Sequence, residues 1–185
     1  MNRRVMTAVW AALLIAPALA QTAVPEPEGY RTEDYRAPVP ARLTGARTIT
    51  TAEAYEIWTS GKAGFVDVLP RPPRPSNLPA GTIWHERERL DIPGSVWLPD
   101  TGYGQLAPEV EEYFRRGLDR ASGGNRDKLL VIYCQRDCWM SWNAGKRALT
   151  LGYRNIAWYP DGTDGWQDAK LPTEKAFPMP GRPGD

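Results

Sequence analysis

Apolar residues along this 185-residue chain fall into short runs, separated by stretches rich in proline, glycine and charge. Short runs rich in β-branched or aromatic residues and bounded by turn residues predict buried strands, and the chain has four: FVDVL (65–69), SVWLPD (95–100), DKLLVIYC (127–134) and NIAWYP (155–160). Helical spacing of apolar residues, with capping residues before and glycine after, predicts three helices: within 50–61, 106–123 and 141–153. This alternation predicts an α/β domain with a central parallel sheet flanked by helices.

The segments around this pattern differ from it in composition. Residues 21–47 are rich in Pro, Glu, Thr and Arg and predict an extended lead-in segment. Six prolines between Pro70 and Pro93 exclude regular structure over most of that span, so the first of the four strands is followed by a long surface excursion. Residues 173–185, which contain AFPMPGRPGD, predict a flexible tail.

The chain begins with features of an export signal. Arg3 and Arg4 precede an apolar run that ends in the small residues around Ala20, which predicts a signal peptide over residues 1–20. The run is too short, and too interrupted by Pro17, to predict a membrane span. Removing the peptide and its two arginines changes the formal charge from +1 to −1. A balance this close to neutral gives no electrostatic reason to expect nucleic acid or an anionic membrane surface as a partner.

The two cysteines, Cys134 and Cys138, are the strongest chemical signal. In an exported protein such a pair indicates a disulfide or a redox centre before it indicates two reduced thiols. His85 is the only histidine, so at most three soft ligands are present and no metal site is expected. Closing a five-residue loop stabilises a fold by only about 2 kcal/mol. Reactive chemistry is therefore favoured over a structural disulfide, although both interpretations stay open.

The position of the pair supports this preference. Cys134 ends a predicted strand and Cys138 precedes a predicted helix, which is where sites are commonly built in parallel sheets. Unpaired N–H groups and the helix dipole at such a position favour a thiolate. Between the cysteines lie Gln135, Arg136 and Asp137, and of the nearby cations only Arg136 is expected to be close enough to help.

Other polar and aromatic residues have a functional and a structural interpretation. Asp67, at the end of a buried strand, is either an acid near the site or, more commonly for such a residue, a cap for nearby N–H groups. Trp139, Trp142, Trp158 and Trp166 could form an aromatic wall for a flat ligand, although core packing is the commoner role. PDGTDG (160–165) predicts a glycine-rich turn rather than a calcium loop. His85 is expected at the solvated surface.

Four of these segments, in this order, resemble the landmarks of a rhodanese-like domain: FVDVL, IPGSVWLP, DKLLVIYC and ALTLGYRNIAWYPDGTDGW. The resemblance covers about residues 48–172 and implies a rhodanese-like three-layer domain. Within it, CQRDCWMSWNA followed by WYPDGTDGW is similar to the subgroup of PQQ-dependent catabolism-associated CXXCW motif proteins, although here three residues separate the cysteines. That subgroup is exported and linked to periplasmic quinoprotein alcohol oxidation.

The resemblance implies roles for both cysteines. Cys134 matches the rhodanese nucleophile, which accepts a sulfane sulfur as a persulfide. Typical rhodanese loops carry a glycine and an arginine before the helix, where this chain has Asp137, Cys138 and Trp139. Cys138 could attack a persulfide on Cys134, forming a disulfide and releasing sulfide, so it is expected to act as the resolving cysteine.

Two function hypotheses follow. The first is an exported, periplasmic rhodanese-like thiol protein in dithiol/disulfide redox chemistry or sulfur transfer, associated with PQQ-dependent alcohol oxidation. The alternative is a non-catalytic accessory module with a structural disulfide that binds a quinoprotein dehydrogenase or its cofactor. In both, the expected partner is a quinoprotein dehydrogenase or a cytochrome c. No covalently bound cofactor is expected, and PQQ enters only as a functional link.

Overall fold

A computed structural model describes residues 24–71, 75, 77–83 and 88–184. The predicted signal peptide and His85 lie outside these residues. In chain order, the helices and strands of the described part are β1 (Arg47–Thr48), α1 (Thr51–Ser60), β2 (Gly64–Asp67), β3 (Arg89–Asp91), β4 (Val96–Trp97), α2 (Pro108–Ser122), β5 (Leu130–Tyr133), α3 (Trp139–Thr150), β6 (Ile156–Tyr159), α4 (Gly162–Asp168) and β7 (Glu174–Ala176).

Among these, five strands form one parallel sheet in the order β1-β6-β5-β2-β4. The central strands β2, β5 and β6 are buried at every position, as expected for strands covered on both faces. The predicted α/β domain with a central parallel sheet is therefore confirmed. A second, two-stranded antiparallel sheet pairs β3 with β7.

Alternate residues of the central strands pack into two cores, one on each face of the sheet. On one face, Val66 and Ile132 belong to a cluster that includes buried residues of α2 and α3. On the other face, Phe65 and Val131 belong to a cluster that includes Ala54 of α1 and Trp166 of α4. Because neighbouring residues of a strand point to opposite faces, this alternation produces the predicted three layers.

The helix ends show why the sequence folds locally as it does. Thr50 caps α1, its side chain accepting from the Glu53 N–H, while the Glu53 carboxylate accepts from the Thr50 N–H in a capping box. Gly61 ends that helix in the left-handed conformation. The helix predicted within 50–61 is confirmed, whereas the one predicted at 141–153 begins two residues earlier, at Trp139.

Three regions expected to be irregular contain secondary structure. The excursion between Pro70 and Pro93 contains β3 near its end, where it pairs with β7. The prediction of a glycine-rich turn at 160–165 is incomplete, because α4 begins at Gly162 and buries Trp166. The segment predicted as a tail contains β7, and beyond it the Met179 N–H donates to the Trp97 carbonyl at 2.9 Å. The Tyr113 hydroxyl donates to the Met179 carbonyl at 2.8 Å. The last segment is therefore packed on the sheet through β4 and α2.

Candidate active site

The loop that carries both cysteines connects β5 to α3 at the carboxyl end of the sheet. Cys134 directly follows β5, and Cys138 is the N-cap residue of α3, in extended conformation. Asp137, between them, has a φ of 53°, in the left-handed region that glycine adopts most easily. Aspartate is among the residues that tolerate this conformation.

Cys134 and Cys138 are joined by a disulfide, with their Cα atoms 6.4 Å apart. Both residues are almost fully buried, with exposed fractions of 0% for Cys134 and 2% for Cys138. The two positions are not equivalent. Cys138 contributes to the wall of a cavity of about 590 Å³, whereas Cys134 is not one of the described residues in that wall.

This cavity, called the loop cavity below, has both apolar and charged walls. Apolar surface comes from the strand ends and from α3. Charge of both signs comes from the lead-in segment, the excursion and α4: Arg36, Arg71, Glu88, Arg89 and Asp164. Its lining includes Tyr35, Arg36, Leu69, Arg89, Trp97, Tyr103, Gln135, Cys138, Met140 and Thr163. A disulfide in such a wall can meet a molecule of moderate size that carries both apolar and charged groups.

The first helical turn of α4 anchors the base of the loop. The Cys134 carbonyl accepts from the Thr163 N–H at 3.0 Å and from the Thr163 hydroxyl at 3.2 Å. The Arg136 N–H donates to the Asp164 carboxylate at 3.2 Å. The segment after β6 therefore fixes the backbone of the cysteine loop.

The Arg136 side chain is not directed at the sulfurs. Its guanidinium donates to Asp168 at 2.8 Å and lies 3.5 Å from Asp161, so its charge is compensated by acids of the α4 region. The hydrogen bond that Arg136 donates to Asp168 is the main cause that raises the pKa of Arg136. The contacts of Arg136 therefore do not support its expected role as the cation that favours a thiolate.

The lead-in segment covers the other side of the loop. The Trp139 N–H donates to the Tyr35 carbonyl at 2.9 Å, and Arg36 donates to the Arg136 carbonyl at 2.8 Å. The Gln135 amide, with its oxygen turned toward Arg36, accepts from that guanidinium at 3.2 Å. Tyr35 and Arg36 were not among the residues singled out from the sequence, and no local pattern identifies them.

The tryptophans near the site belong to the core. Trp139 is 2% exposed, and Trp142 and Trp158 are fully buried in one cluster with Leu43 of the lead-in segment. The rings of Trp139 and Trp142 meet edge to face, with centroids 5.5 Å apart. The aromatic wall for a flat ligand is therefore not formed by these residues, and the alternative of core packing is confirmed.

Asp67 ends β2, the strand next to β5, and is fully buried. Its carboxylate accepts from the Leu69 N–H at 2.9 Å, so the expected capping role is confirmed. It also pairs with Arg89 of β3 at 2.7 Å. Burial raises the pKa of Asp67 well above its usual value of 3.8, and the nearby Asp91 raises it further. No local sequence pattern identifies Arg89 as the partner of this carboxyl group.

Around Asp67 lies a buried cluster of ionisable groups. Asp91 is also fully buried, and it accepts from the Tyr133 hydroxyl at 2.7 Å through Oδ1. Within the described part of the chain, its Oδ2 has no hydrogen-bond partner. Burial likewise raises the pKa of Asp91. With Arg89 as the adjoining cation, two carboxyl groups share one positive charge, which favours keeping a proton in the pair.

The buried cluster is connected to the cysteine loop through Thr163. Arg89 donates to the Thr163 hydroxyl at 3.3 Å, and that hydroxyl donates to the Cys134 carbonyl. Asp67 therefore lies near the site as a structural support rather than as an acid that contacts the sulfurs. Thr163 follows β6 closely in sequence, and β6 pairs with β5, which Cys134 follows. This placement beyond the carboxyl ends of neighbouring strands is the sequence signal that could have identified Thr163.

Metal sites and membrane-spanning helices are both absent from the described residues. These residues contain no group of three or more His, Cys, Asp or Glu side chains placed to hold a metal ion. None of the helices in this part of the chain is both long and apolar enough to cross a membrane.

Comparisons with known proteins bear on the fold. The model of the rhodanese-like domain family matches residues 50–169. Among solved structures, the chain is similar to the polysulfide-sulfur transferase homodimer of Wolinella succinogenes, with 18% identity, 70% of this chain and 79% of that chain covered, and a TM-score of 0.45. It is also similar to the human single-domain sulfurtransferase TSTD1, with 22% identity, 66% and 96% covered, and a TM-score of 0.41.

A third similar structure is wild-type EanB, with 23% identity and a TM-score of 0.47. The match covers 77% of this chain and 34% of EanB, so the chain spans about a third of that protein. No match was found among curated proteins. The family model covers well over half of the chain, from the first turn of α1 to the end of α4. The chain belongs to the rhodanese-like domain family.

Proposed function

We propose that this protein is a thiol–disulfide exchange protein whose reactive centre is the Cys134–Cys138 pair. The observation that carries the proposal is the disulfide between a strand end and a helix N-cap, with one of its cysteines in the wall of the loop cavity. A staple that served stability alone would gain only about 2 kcal/mol from closing so short a loop. The position of the pair supports exchange with a partner better than stabilisation.

The chemistry is a two-electron exchange. A thiolate RS⁻ attacks one sulfur of the disulfide, forming a mixed disulfide and releasing the other cysteine as a thiolate. A second RS⁻ then attacks the mixed disulfide, giving RSSR and the second cysteine thiolate. Two thiols are thereby oxidised to one disulfide while the protein disulfide is reduced to a dithiol, and the reverse sequence oxidises the protein.

Sulfur transfer can use the same pair but is short-lived. The reduced protein can accept a sulfane sulfur on one cysteine as a persulfide, and the other cysteine then attacks the inner sulfur of that persulfide. The products are the Cys134–Cys138 disulfide and one sulfide ion. A second cysteine this close therefore converts sulfur acceptance into disulfide formation, which supports dithiol/disulfide chemistry as the main role.

We propose in addition that the protein works in the periplasm, in a pathway linked to PQQ-dependent alcohol oxidation. The leader at residues 1–20, with Arg3 and Arg4 ahead of an apolar run, supports export to the periplasm, where disulfides persist. The similarity of CQRDCW and WYPDGTDGW to the PQQ-associated subgroup supports a link to PQQ-dependent alcohol oxidation. A quinoprotein dehydrogenase or a cytochrome c is then the proposed partner.

The exchange function is tested by poising the purified protein in thiol/disulfide buffers of graded potential, alkylating it and measuring its intact mass. We expect a reversible change between no alkyl groups and two, with a midpoint within the range of the buffers. Cys134→Ser and Cys138→Ser variants cannot form the internal disulfide, so each should show one alkyl group at reducing potentials and one mixed disulfide with the buffer thiol at oxidising potentials. Wild-type protein that shows no alkyl groups even after strongly reducing buffers, and so keeps its disulfide, would refute the proposal.

A specific observation favours the alternative of an accessory module with a structural disulfide: exposed fractions of only 0% and 2% for the two cysteines. In that case the double Cys→Ala variant should keep its affinity for a quinoprotein dehydrogenase. Under the exchange proposal, reduced and oxidised protein should differ in their reaction with that partner, whatever their affinity.

The link to alcohol oxidation needs a separate test. Oxidised protein is incubated with a PQQ-loaded alcohol dehydrogenase, with or without alcohol, and its cysteines are then counted by alkylation and mass. We expect the fraction of dithiol to change only when alcohol is being oxidised. An unchanged fraction, with exchange still seen in thiol buffers, would remove the pathway link and leave the exchange function standing.

A further inference from the structure

We propose that Cys138 is the cysteine that exchanges with external thiols and disulfides, and that Cys134 is its internal partner. This inference rests on the proposed exchange function and divides the roles differently from the rhodanese resemblance, which assigns the external reaction to Cys134. Three observations carry it: access to the two cysteines, the helix that follows Cys138, and the surroundings of Cys134.

Access favours Cys138. It contributes to the wall of the loop cavity together with Leu69, Trp97, Tyr103 and Met140. Both cysteines belong to the core cluster shared by β2, β5 and α2, with exposed fractions of 0% for Cys134 and 2% for Cys138, but among the described residues only Cys138 lines the cavity. A thiolate attacks a disulfide sulfur from the side opposite the leaving sulfur, so it needs open space beside the sulfur it attacks. The loop cavity offers that space at Cys138.

The helix favours Cys138 as the thiolate. Cys138 is the N-cap residue of α3, and in the disulfide form its side chain makes no cap hydrogen bond. The first turn of α3 contains no acidic residue. N–H groups at a helix start that lack intrahelical partners can donate hydrogen bonds to a negatively charged N-cap side chain. On reduction, the Cys138 thiolate can take that capping position.

The surroundings of Cys134 favour a protected thiol. Its carbonyl is fixed by two hydrogen bonds from Thr163, and the residue is 0% exposed in the apolar core cluster, to which Cys138 also belongs from the cavity side. Burial among apolar groups disfavours a thiolate. A poorer leaving thiolate slows attack on Cys138, but attack on Cys134 has no open approach, so access decides the site of reaction.

The roles give a balanced cycle. In oxidation, the Cys138 thiolate attacks RSSR, forming a Cys138–SR mixed disulfide and releasing RS⁻. Cys134, after losing its proton to solvent, attacks the Cys138 sulfur, releasing a second RS⁻ and closing the protein disulfide. The protein loses two electrons and RSSR gains them. Reduction by two external thiolates runs through the same Cys138 mixed disulfide.

The test compares Cys134→Ser, which keeps Cys138, with Cys138→Ser, which keeps Cys134. Each reduced variant is mixed with an aromatic disulfide reagent, and the released aromatic thiolate is followed by absorbance. We expect the Cys134→Ser variant to react at least about tenfold faster, because its remaining thiol is both accessible and stabilised as a thiolate. Intact mass confirms one adduct per chain.

Wild-type protein provides a measurement that does not depend on how the variants fold. Reduced protein is pulse-alkylated with iodoacetamide and digested with trypsin, which cuts after Arg136 and so separates the two cysteines. We expect the label mainly on the peptide of Cys138. Equal or faster labelling of Cys134 would overturn this inference while leaving the exchange function intact, whereas no reaction at either cysteine would overturn the exchange function itself.

Discussion

Two neighbouring strands end in buried reactive groups that are held in opposite ways. Asp67 ends β2, and Cys134 follows Tyr133, the residue that pairs with Asp67 in the sheet. Asp67 is a carboxyl group held by Arg89 and by the Leu69 N–H. Cys134 is held by a covalent bond to Cys138, and this disulfide is uncharged. The buried carboxyl group of Asp67 needs all of its partners to stay in place, whereas the disulfide opens or closes when the protein gains or loses two electrons.

The difference shows how a rhodanese-like sheet separates support from reaction. Thr163 joins the two ends, because its hydroxyl accepts from Arg89 and donates to the Cys134 carbonyl. The buried charge cluster therefore stabilises the backbone that carries the disulfide, while the disulfide remains free to change its state. Each of the following predictions perturbs one side of this comparison.

The largest effect is expected from Arg89→Met. The substitution leaves two buried carboxyl groups, Asp67 and Asp91, without their cation, and breaking a buried ion pair in this way costs about 3–5 kcal/mol. The free energy of unfolding, measured by urea denaturation, should fall by this amount. Adding Asp67→Asn to the same variant should recover part of the loss, and a single-variant loss below about 1 kcal/mol would contradict the role given to the cluster.

A smaller effect is expected from opening the disulfide. Replacing both Cys134 and Cys138 by serine should lower the free energy of unfolding by about 2 kcal/mol, because only a five-residue loop is released. Reduced wild-type protein serves as the matched control and should lose a similar amount. A loss above about 4 kcal/mol would indicate a structural staple and favour the accessory-module alternative.

The pH dependence of stability tests the buried carboxyl pair. Because the folded-state pKa of Asp67 is raised above 3.8, the folded protein binds a proton that the unfolded chain has already released. Stability from this group is therefore present at low pH and is lost as the pH rises from about 4 through the folded-state pKa, by at most about 1.4 kcal/mol per pH unit. Asp67→Asn should flatten this slope in urea denaturation measured across the same range. An unchanged slope would contradict a proton held by the pair.

The smallest effect is expected from Arg36→Gln on the lead-in side of the loop cavity. Arg36 is exposed and, within the described residues, bonds only to neutral oxygens of Gln135 and Arg136, so its charge is available to an anionic thiol. The exchange rate with mercaptoethanesulfonate should fall about two- to fivefold at low salt and by less in about 0.5 M salt. The rate with neutral mercaptoethanol should not change.

Arg42→Gln provides the matched control for this experiment. Arg42 lies in the same segment, has a side chain 83% exposed, and is not one of the described residues that line the loop cavity. Its substitution removes the same charge and should leave both thiol rates unchanged. An equal slowing in both variants would show that net charge, rather than Arg36, governs the rate.

Much of the fold could be predicted because its central elements have strong local patterns. The apolar run before Cys134 and the capping box of Thr50 and Glu53 are sufficient to identify β5 and α1. The short strands β1, β3 and β7, of two or three residues each, carry no periodic signal, and their pairing is set by tertiary contacts. For α4, glycine and aspartate indicated a turn, and the buried Trp166 outweighs their low helix propensity.

The candidate site was predictable only where it is local in sequence. The cysteine loop and Asp67 could be identified because they lie at the carboxyl ends of predicted strands, although their catalytic roles stay predictions. Arg36 and Arg89 reach the loop cavity from segments that looked irregular, through contacts distant in sequence. Whether a charged group lies near a sulfur also depends on where its side chain points. For Arg136, the ion pair with Asp168 sets this direction.

The lead-in segment has a practical consequence for anyone who expresses the domain alone. A clone trimmed to the residues matched by the family, 50–169, would delete Leu43 and Tyr35, which cover Trp142 and Trp139. It would also remove β1 from the edge of the sheet. Such a fragment would present bare indole surface and an unpaired strand edge, and we expect it to aggregate rather than to behave as a minimal folded domain.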